Sequence, residues 1–191
     1  AGYIRLSQSI FSDGIIANKK IVRSSIDNLL EDNKIKRGIL STSVGNEFIV
    51  VRNMSLPYMK KEAIIETVRW EFSDYLPFSS KTAVIDYILR YKSKGKMEIT
   101  AVMAPDNIIK SYLETLKKYN LKTLNIQPVA LLNIFKLKKI KEPVLIVDIG
   151  VCSTKIIVGT KSNIFFMRNL KLGAGILTEK NRNNYKVDNK N

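Results

Sequence analysis

Asp148, Gly150, Ser153 and Thr154 are the residues of this 191-residue chain whose types and spacing best suit chemistry. They follow the apolar run Val144-Leu145-Ile146-Val147. The pattern predicts a strand that ends on a carboxylate, a glycine turn, and small hydroxyl residues leading into a second strand through Val158. Such a turn lets backbone N–H groups approach a phosphate, with Ser153 and Thr154 as added donors and Asp148 facing a magnesium ion through water. The same residues also read as a tight hairpin in which Asp148 merely caps the turn. Lys155 neighbours Thr154 in a strand whose side chains alternate, so it is expected to point away from a phosphate. Cys152, the only cysteine, reads as a small turn filler, because no flanking His or Arg lowers its pKa.

Other chemistries are excluded by composition. With no histidine and one cysteine, the chain lacks the usual zinc ligands, the commonest general base and any internal disulfide. Glu62, Glu66 and Glu71 fall at helical spacing beside Lys60 and Lys61, a solvated face rather than an acid/base pair. The net charge of +15 normally suggests nucleic acid or anionic membrane. Yet 24 of the 32 basic residues are lysine, and Ile, Lys and Asn together make 65 of the 191 residues, a pattern of coding bias. Nucleic-acid readers favour clustered arginine, so no specific nucleic acid is expected. The densest run, Lys136, Lys138, Lys139 and Lys141, suits the carboxyl end of a helix. No apolar stretch approaches the roughly 18 residues of a spanning helix, and no basic-then-apolar leader opens the chain. Direct membrane insertion is therefore not expected. The first residue is Ala1 and the last dozen are polar, so a neighbouring piece is expected on each side.

The elements that must position these residues are legible in outline. A strand-like Tyr3-Ile4-Arg5-Leu6 comes first. Ile21, Val22, Ile26, Leu29 and Leu30 recur at helical spacing over residues 18–32, followed by a strand over 39–44 and another at 48–51. Residues 60–74 read as a helix with Ala63, Ile64, Val68 and Phe72 along one side, ended by Pro77. Residues 83–91 and 97–103 form a hairpin across a lysine-rich turn with Gly95. Its first strand alternates Val84, Asp86 and Ile88 against Ile85, Tyr87 and Leu89, so one face is wet. Pro105-Asp106 opens a helix through Tyr119 with Ile108, Ile109, Tyr112, Leu113 and Leu116 buried. Residues 121–126 are extended, Pro128 opens a helix to about Leu137, and Val144 to Val147 reads as a central strand. Residues of about 54–124 thus form a compact α+β unit that suits an insertion between two halves of something larger. Trp70, the only tryptophan, reads as a core or domain-contact side chain.

Asp148-Ile149-Gly150 followed by Thr154 after an apolar strand resembles the second phosphate loop of the actin-like ATPase superfamily. Leu56-Pro57, Val68-Arg69-Trp70-Glu71, Tyr75-Leu76-Pro77-Phe78 and Ile85-Asp86-Tyr87 resemble, in order and spacing, the signature of the PilM family of type IV pilus assembly. Residues 122–131 and Leu172-Gly173-Ala174-Gly175 are similar to further parts of it. The resemblance implies an α/β (mixed α+β) fold: a partial actin-like, ribonuclease H-like lobe with an inserted FtsA-type 1C subdomain. Residues 1–53 and 125–141 would form subdomain 1A, 54–124 subdomain 1C, and 142–191 the start of 2A. Asp148, Gly150, Ser153 and Thr154 would supply half of a site for ATP and Mg2+ in the intact protein. The first phosphate loop would precede Ala1 and the adenosine-binding segment follow Asn191.

By the same resemblance, the expected role is a cytoplasmic adaptor, peripheral to the inner membrane, in the assembly complex behind twitching motility. The partner would be the cytoplasmic tail of the membrane protein PilN, held in a groove between 1A and 1C whose residues the sequence does not assign. Nucleotide would be bound by a scaffold, with at most weak ATPase activity. The rivals are an ATPase or small-molecule kinase of the same superfamily, and a related FtsA-type division or GspL-type type II secretion component.

Overall fold

The computed structural model describes residues 2–7, 10–45, 47–93, 95–137, 140–151, 153–160 and 163–176. The chain divides into two compact units, Ala1–Ala130 and Leu131–Asn191. The first opens with the short strands β1 (Phe11–Ser12) and β2 (Ile15–Ile16). Asp13 and Gly14 join them with φ of 48° and 81°, the positive values a two-residue type I′ hairpin requires. Helix α1 (Lys19–Asp32) follows, its first turn capped by Asn18, whose Oδ1 accepts the Ile21 N–H at 3.1 Å. Ile10, Ile16 and Val22 form a small buried cluster there, with Ile26 and Tyr112 packed against it. The strand expected over Tyr3–Leu6 is absent: the segment pairs with no ladder among the described residues, and Tyr3 is exposed.

Strands β3 (Leu40–Val44) and β4 (Val50–Pro57) come next, then helix α2 (Lys61–Glu71), β5 (Ala83–Ser93) and β6 (Lys96–Pro105). Helix α3 (Asp106–Leu116), β7 (Leu121–Ile126) and α4 (Gln127–Leu137) complete this part of the chain. Both middle helices are shorter than their periodicity suggests. A 3-10 turn at Ser73–Tyr75 follows α2, and another at Lys117–Tyr119 follows α3 before Asn120 turns left-handed at φ 54°. β3 pairs in parallel with β7. The whole segment from β4 through α3 is therefore inserted between two neighbouring strands of one layer.

That insertion has its own sheet, ordered β4-β6-β5 and antiparallel throughout. One face carries Met54, Leu56, Met97, Ile99, Ala101 and Met103, closed over by Ile64 and Val68 of α2. Each of these side chains except the small Ala101 contributes about 1.5–3 kcal/mol by leaving water. Leu76 and Phe78 pack at the margin of this core, whereas Tyr75 is exposed. Arg69 donates to the carbonyls of Ser80 and, at 3.3 Å, Ala83, tying α2 to the start of β5. Glu66 sits 3.7 Å from Arg69 on the solvated side of α2. Trp70 is not a core residue: it is 79% exposed, because Ile64 and Val68 point the opposite flank of α2 at the sheet.

The second unit is an antiparallel sheet of β8 (Val144–Ile149), β9 (Thr154–Gly159) and β10 (Ile164–Leu170), ordered β10-β9-β8. Here the expectation for the Val144 run is corrected. Among the described residues β8 is an edge strand and β9 the central one. Its side chains alternate in burial, with Leu145, Val147 and Ile149 at 64%, 51% and 63% exposed, while Ile157 and Ile164 are buried on the other face. β10 was not read from the sequence, since a register shift between Ile164 and Phe166 breaks its alternation.

Candidate functional site

Two places suit function. The first is the β8–β9 turn, where the sequence places phosphate chemistry. Asp148 lies opposite Lys155, and Ile149 opposite Thr154, so Asp148 and Thr154 project from opposite faces of the hairpin. Lys155 points away from Thr154, as alternation requires, and its Nζ lies 3.6 Å from Asp148 Oδ2, with the two side chains 11% and 32% exposed. Asn169 neighbours Lys155 on β10, and its buried Oδ1 has no hydrogen-bond partner. The row Asp148, Lys155, Asn169 is thus a polar ladder across an otherwise apolar sheet face.

Hydrogen bonds hold the turn to itself and to the segment after β10. The Gly150 N–H donates to the Ser153 carbonyl at 2.9 Å, and the Thr154 hydroxyl donates to the Leu172 carbonyl at 2.6 Å. Ala174 N–H and Gly175 N–H donate to the carbonyls of Gly150 and Val151 at 2.8 and 2.9 Å. Leu172-Gly173-Ala174-Gly175 is therefore a clamp on the turn. It needs glycine at 173, where a Cβ would lie 2.2 Å from the Val151 carbonyl oxygen. Ser153 is half-buried, and Cys152 lies outside the described residues, as do Lys138, Lys139 and the polar run from Lys180.

Asp148 already faces a cation on a mostly buried lysine, and among the described residues no group of three or more His, Cys, Asp or Glu could hold a metal. Withdrawing Asp148 towards a metal would orphan the Lys155 charge in a poorly solvated place.

The second place is a groove of about 250 Å³ within the first unit. That is smaller than the roughly 300–1,000 Å³ of ordinary small-molecule sites, room for a few side chains rather than a nucleotide. Val84, Asp86 and Ile88 of β5, with Val102 and Ala104 of β6, make one wall. Ile109 and Leu113 of α3 flank it, and Leu124 and Ile126 of β7 with Val44 and Val129 make the other. The face of β5 that alternation marks as wet is this wall. β5 pairs only with β6, and β7 only with β3, among the described residues, so both walls offer an open strand edge. Each edge has an amide covered by a neighbouring side chain. Asp86 Oδ1 accepts the Tyr87 N–H at 2.9 Å, and Asn125 Oδ1 accepts the Ile126 N–H at 2.8 Å. The resemblance led to the expectation of a groove, but the sequence assigned none of its residues, because the β3–β7 wall comes from segments far apart in the chain. Its one available signal was the alternation through Asp86.

An α/β lobe of the actin-like kind is the class this fold defines, with a helix-backed antiparallel sheet inserted between parallel strands. Residues 2–191 match the family described as type IV pilus assembly protein PilM, and the chain belongs to that family. Among solved structures it is similar to the PilM-PilN type IV pilus biogenesis complex, at 22% identity and a TM-score of 0.81, covering 96% of this chain and 57% of that one. It is also similar to the cytoplasmic domain of EpsL, an inner membrane component of the type II secretion system of Vibrio cholerae. There the identity is 10%, the TM-score 0.53, and the coverage 88% of this chain and 64% of that one. At such identities the likeness is one of fold. The chain spans less than two-thirds of the length of either structure. No curated protein matches it.

Proposed function

We propose that this chain is the peptide-holding part of a cytoplasmic pilus-assembly adaptor, which grips the extended tail of a PilN-like inner-membrane protein. The observation that carries this is the apolar groove between the open edges of β5 and β7. An extended segment gains affinity there from main-chain hydrogen bonds along an edge, and specificity from alternate side chains in the groove. Family membership supports the pilus role, and the name of the similar complex suggests the partner. In the proposed division, residues 1–53 and 125–141 belong to subdomain 1A, 54–124 to 1C and 142–191 to 2A. ATP binding is proposed for the intact protein only, since the Asp148-to-Thr154 turn supplies no metal ligand set of its own.

The test is a titration of the chain with a labelled peptide copying the cytoplasmic tail of its own organism's PilN, beside a scrambled peptide, at two salt concentrations. Sequence-specific, salt-tolerant binding that is lost in Ile88→Glu is the expected result. Ile88 is 40% exposed, so the variant should fold. Binding that ignores sequence and disappears in salt would mean lysine charge alone and would overturn the proposal.

A further inference from the structure

Resting on the peptide-holding reading above, we infer that Asp86 selects the groove's occupant: an extended segment with one basic side chain flanked two residues away on each side by apolar ones. Among the side chains that line the groove, Asp86 is the only one charged at neutral pH. Its sign is opposite to that of a chain carrying +15. Val84 and Ile88 stand on either side of it along the same face of β5.

Any strand laid along the β5 edge presents side chains at alternate positions opposite Val84, Asp86 and Ile88. Apolar groups suit the first and third. Opposite Asp86 an apolar group would strip water from a carboxylate and give nothing back, whereas an ammonium or guanidinium replaces the lost solvation with a charge-assisted hydrogen bond. The selection is thus as much a penalty on wrong occupants as a reward for the right one.

Asp86 also has the oxygen to do this. Oδ1 accepts the Tyr87 N–H at 2.9 Å, while the other carboxylate oxygen has no partner among the described residues. The same contact orients the carboxylate, so the charge that receives the basic side chain is fixed in advance.

The experiment uses a nine-residue peptide with Val-Thr-Lys-Thr-Leu at its centre, compared with versions carrying norleucine or glutamate for lysine and with a scrambled peptide of equal charge. Each is titrated against the native chain, Asp86→Asn and Ile88→Glu. The lysine peptide should bind the native chain roughly three- to tenfold more tightly than the norleucine peptide. That preference should vanish in Asp86→Asn, which keeps an acceptor for the Tyr87 N–H and so leaves the edge as it was, while Ile88→Glu should weaken the norleucine peptide too. Equal binding of lysine and norleucine peptides to the native chain, or a lysine preference that persists in Asp86→Asn, overturns the role of Asp86 and leaves the groove standing. If no peptide binds, both the groove and the role of Asp86 fall.

Discussion

Asp148 and Lys155 show how a residue legible by type acquires a different office from its register. Alternation along the strand was enough to turn Lys155 away from Thr154. It was not enough to place Asp148 on the same face as Lys155, because that depends on how β8 and β9 pair. The carboxylate that the sequence marks for a metal faces a lysine in the fold, and the pair sits on a largely buried surface. Removing one member should therefore cost more than removing both. Asp148→Asn is expected to destabilise the second unit by roughly 1–3 kcal/mol. Asp148→Asn with Lys155→Met should recover most of that loss. Urea denaturation of the two single variants and the double variant checks this, and additive losses would show that the pair does not interact. Trp70 makes a related point. Aromatic character argued for burial, yet the neighbouring Ile64 and Val68 already set which flank of α2 meets the sheet.

Among the elements, the periodic helices and the β5–β6 hairpin were readable because their patterns are local. The β1–β2 hairpin was missed although its Asp13-Gly14 turn is the sequence signal for one. Helix ends were overextended where a 3-10 turn continues the apolar spacing. What the sequence could not show is how α1 docks on α3. Arg23 donates to the carbonyls of Thr115 and Glu114 at 3.1 and 2.7 Å, taking up the free acceptors at the end of α3. Two ion pairs, Lys19 with Glu114 and Asp27 with Lys118, join α1 to α3 and to the 3-10 turn that follows it. The hydrogen bond from Lys118, and then that from Tyr119, holds Asp27 below its ordinary value of 3.8. The hydrogen bond from Lys19 holds Glu114 below 4.5. As pH falls past those values the unfolded chain takes up the protons first, so stability falls with it. The contribution is complete above the ordinary values and is lost as pH drops through the lowered ones. Hydrogen exchange at pH 6 and pH 3, corrected for intrinsic rates, should show α1 losing protection relative to β6 in acid. Because both pairs are exposed, the effect should be small and should shrink further in salt. Equal protection of α1 at both pH values would remove these pairs from the account.

For the molecule as a whole, the one-sided burial of the second sheet was not legible in the sequence. Four consecutive apolar residues from Val144 suggested a strand covered on both faces. Among the described residues, Leu145, Val147 and Ile149 instead form an exposed apolar stripe. Val158 and Phe166 extend it on β9 and β10, with Phe166 itself exposed. Contiguous apolar surface of this kind recruits other apolar surface. The chain should therefore bind the dye ANS and sediment with concentration-dependent mass. Leu145→Lys together with Ile149→Lys should reduce both, without altering the groove of the first unit. Unchanged dye binding in that double variant would locate the sticky surface elsewhere.

The parallel pairing of β3 with β7 also bears on the order of events during synthesis. About 75 residues separate Val44 from Leu121, so at roughly 5–20 residues per second the ribosome exposes β3 for several seconds before its partner exists. In that interval the inserted sheet can complete itself, because all three of its strands are synthesised before β7. Its closure draws the two ends of the insertion together and turns a slow search between distant strands into a short one. The subdomain that builds one wall of the groove thus acts as a timer for the other.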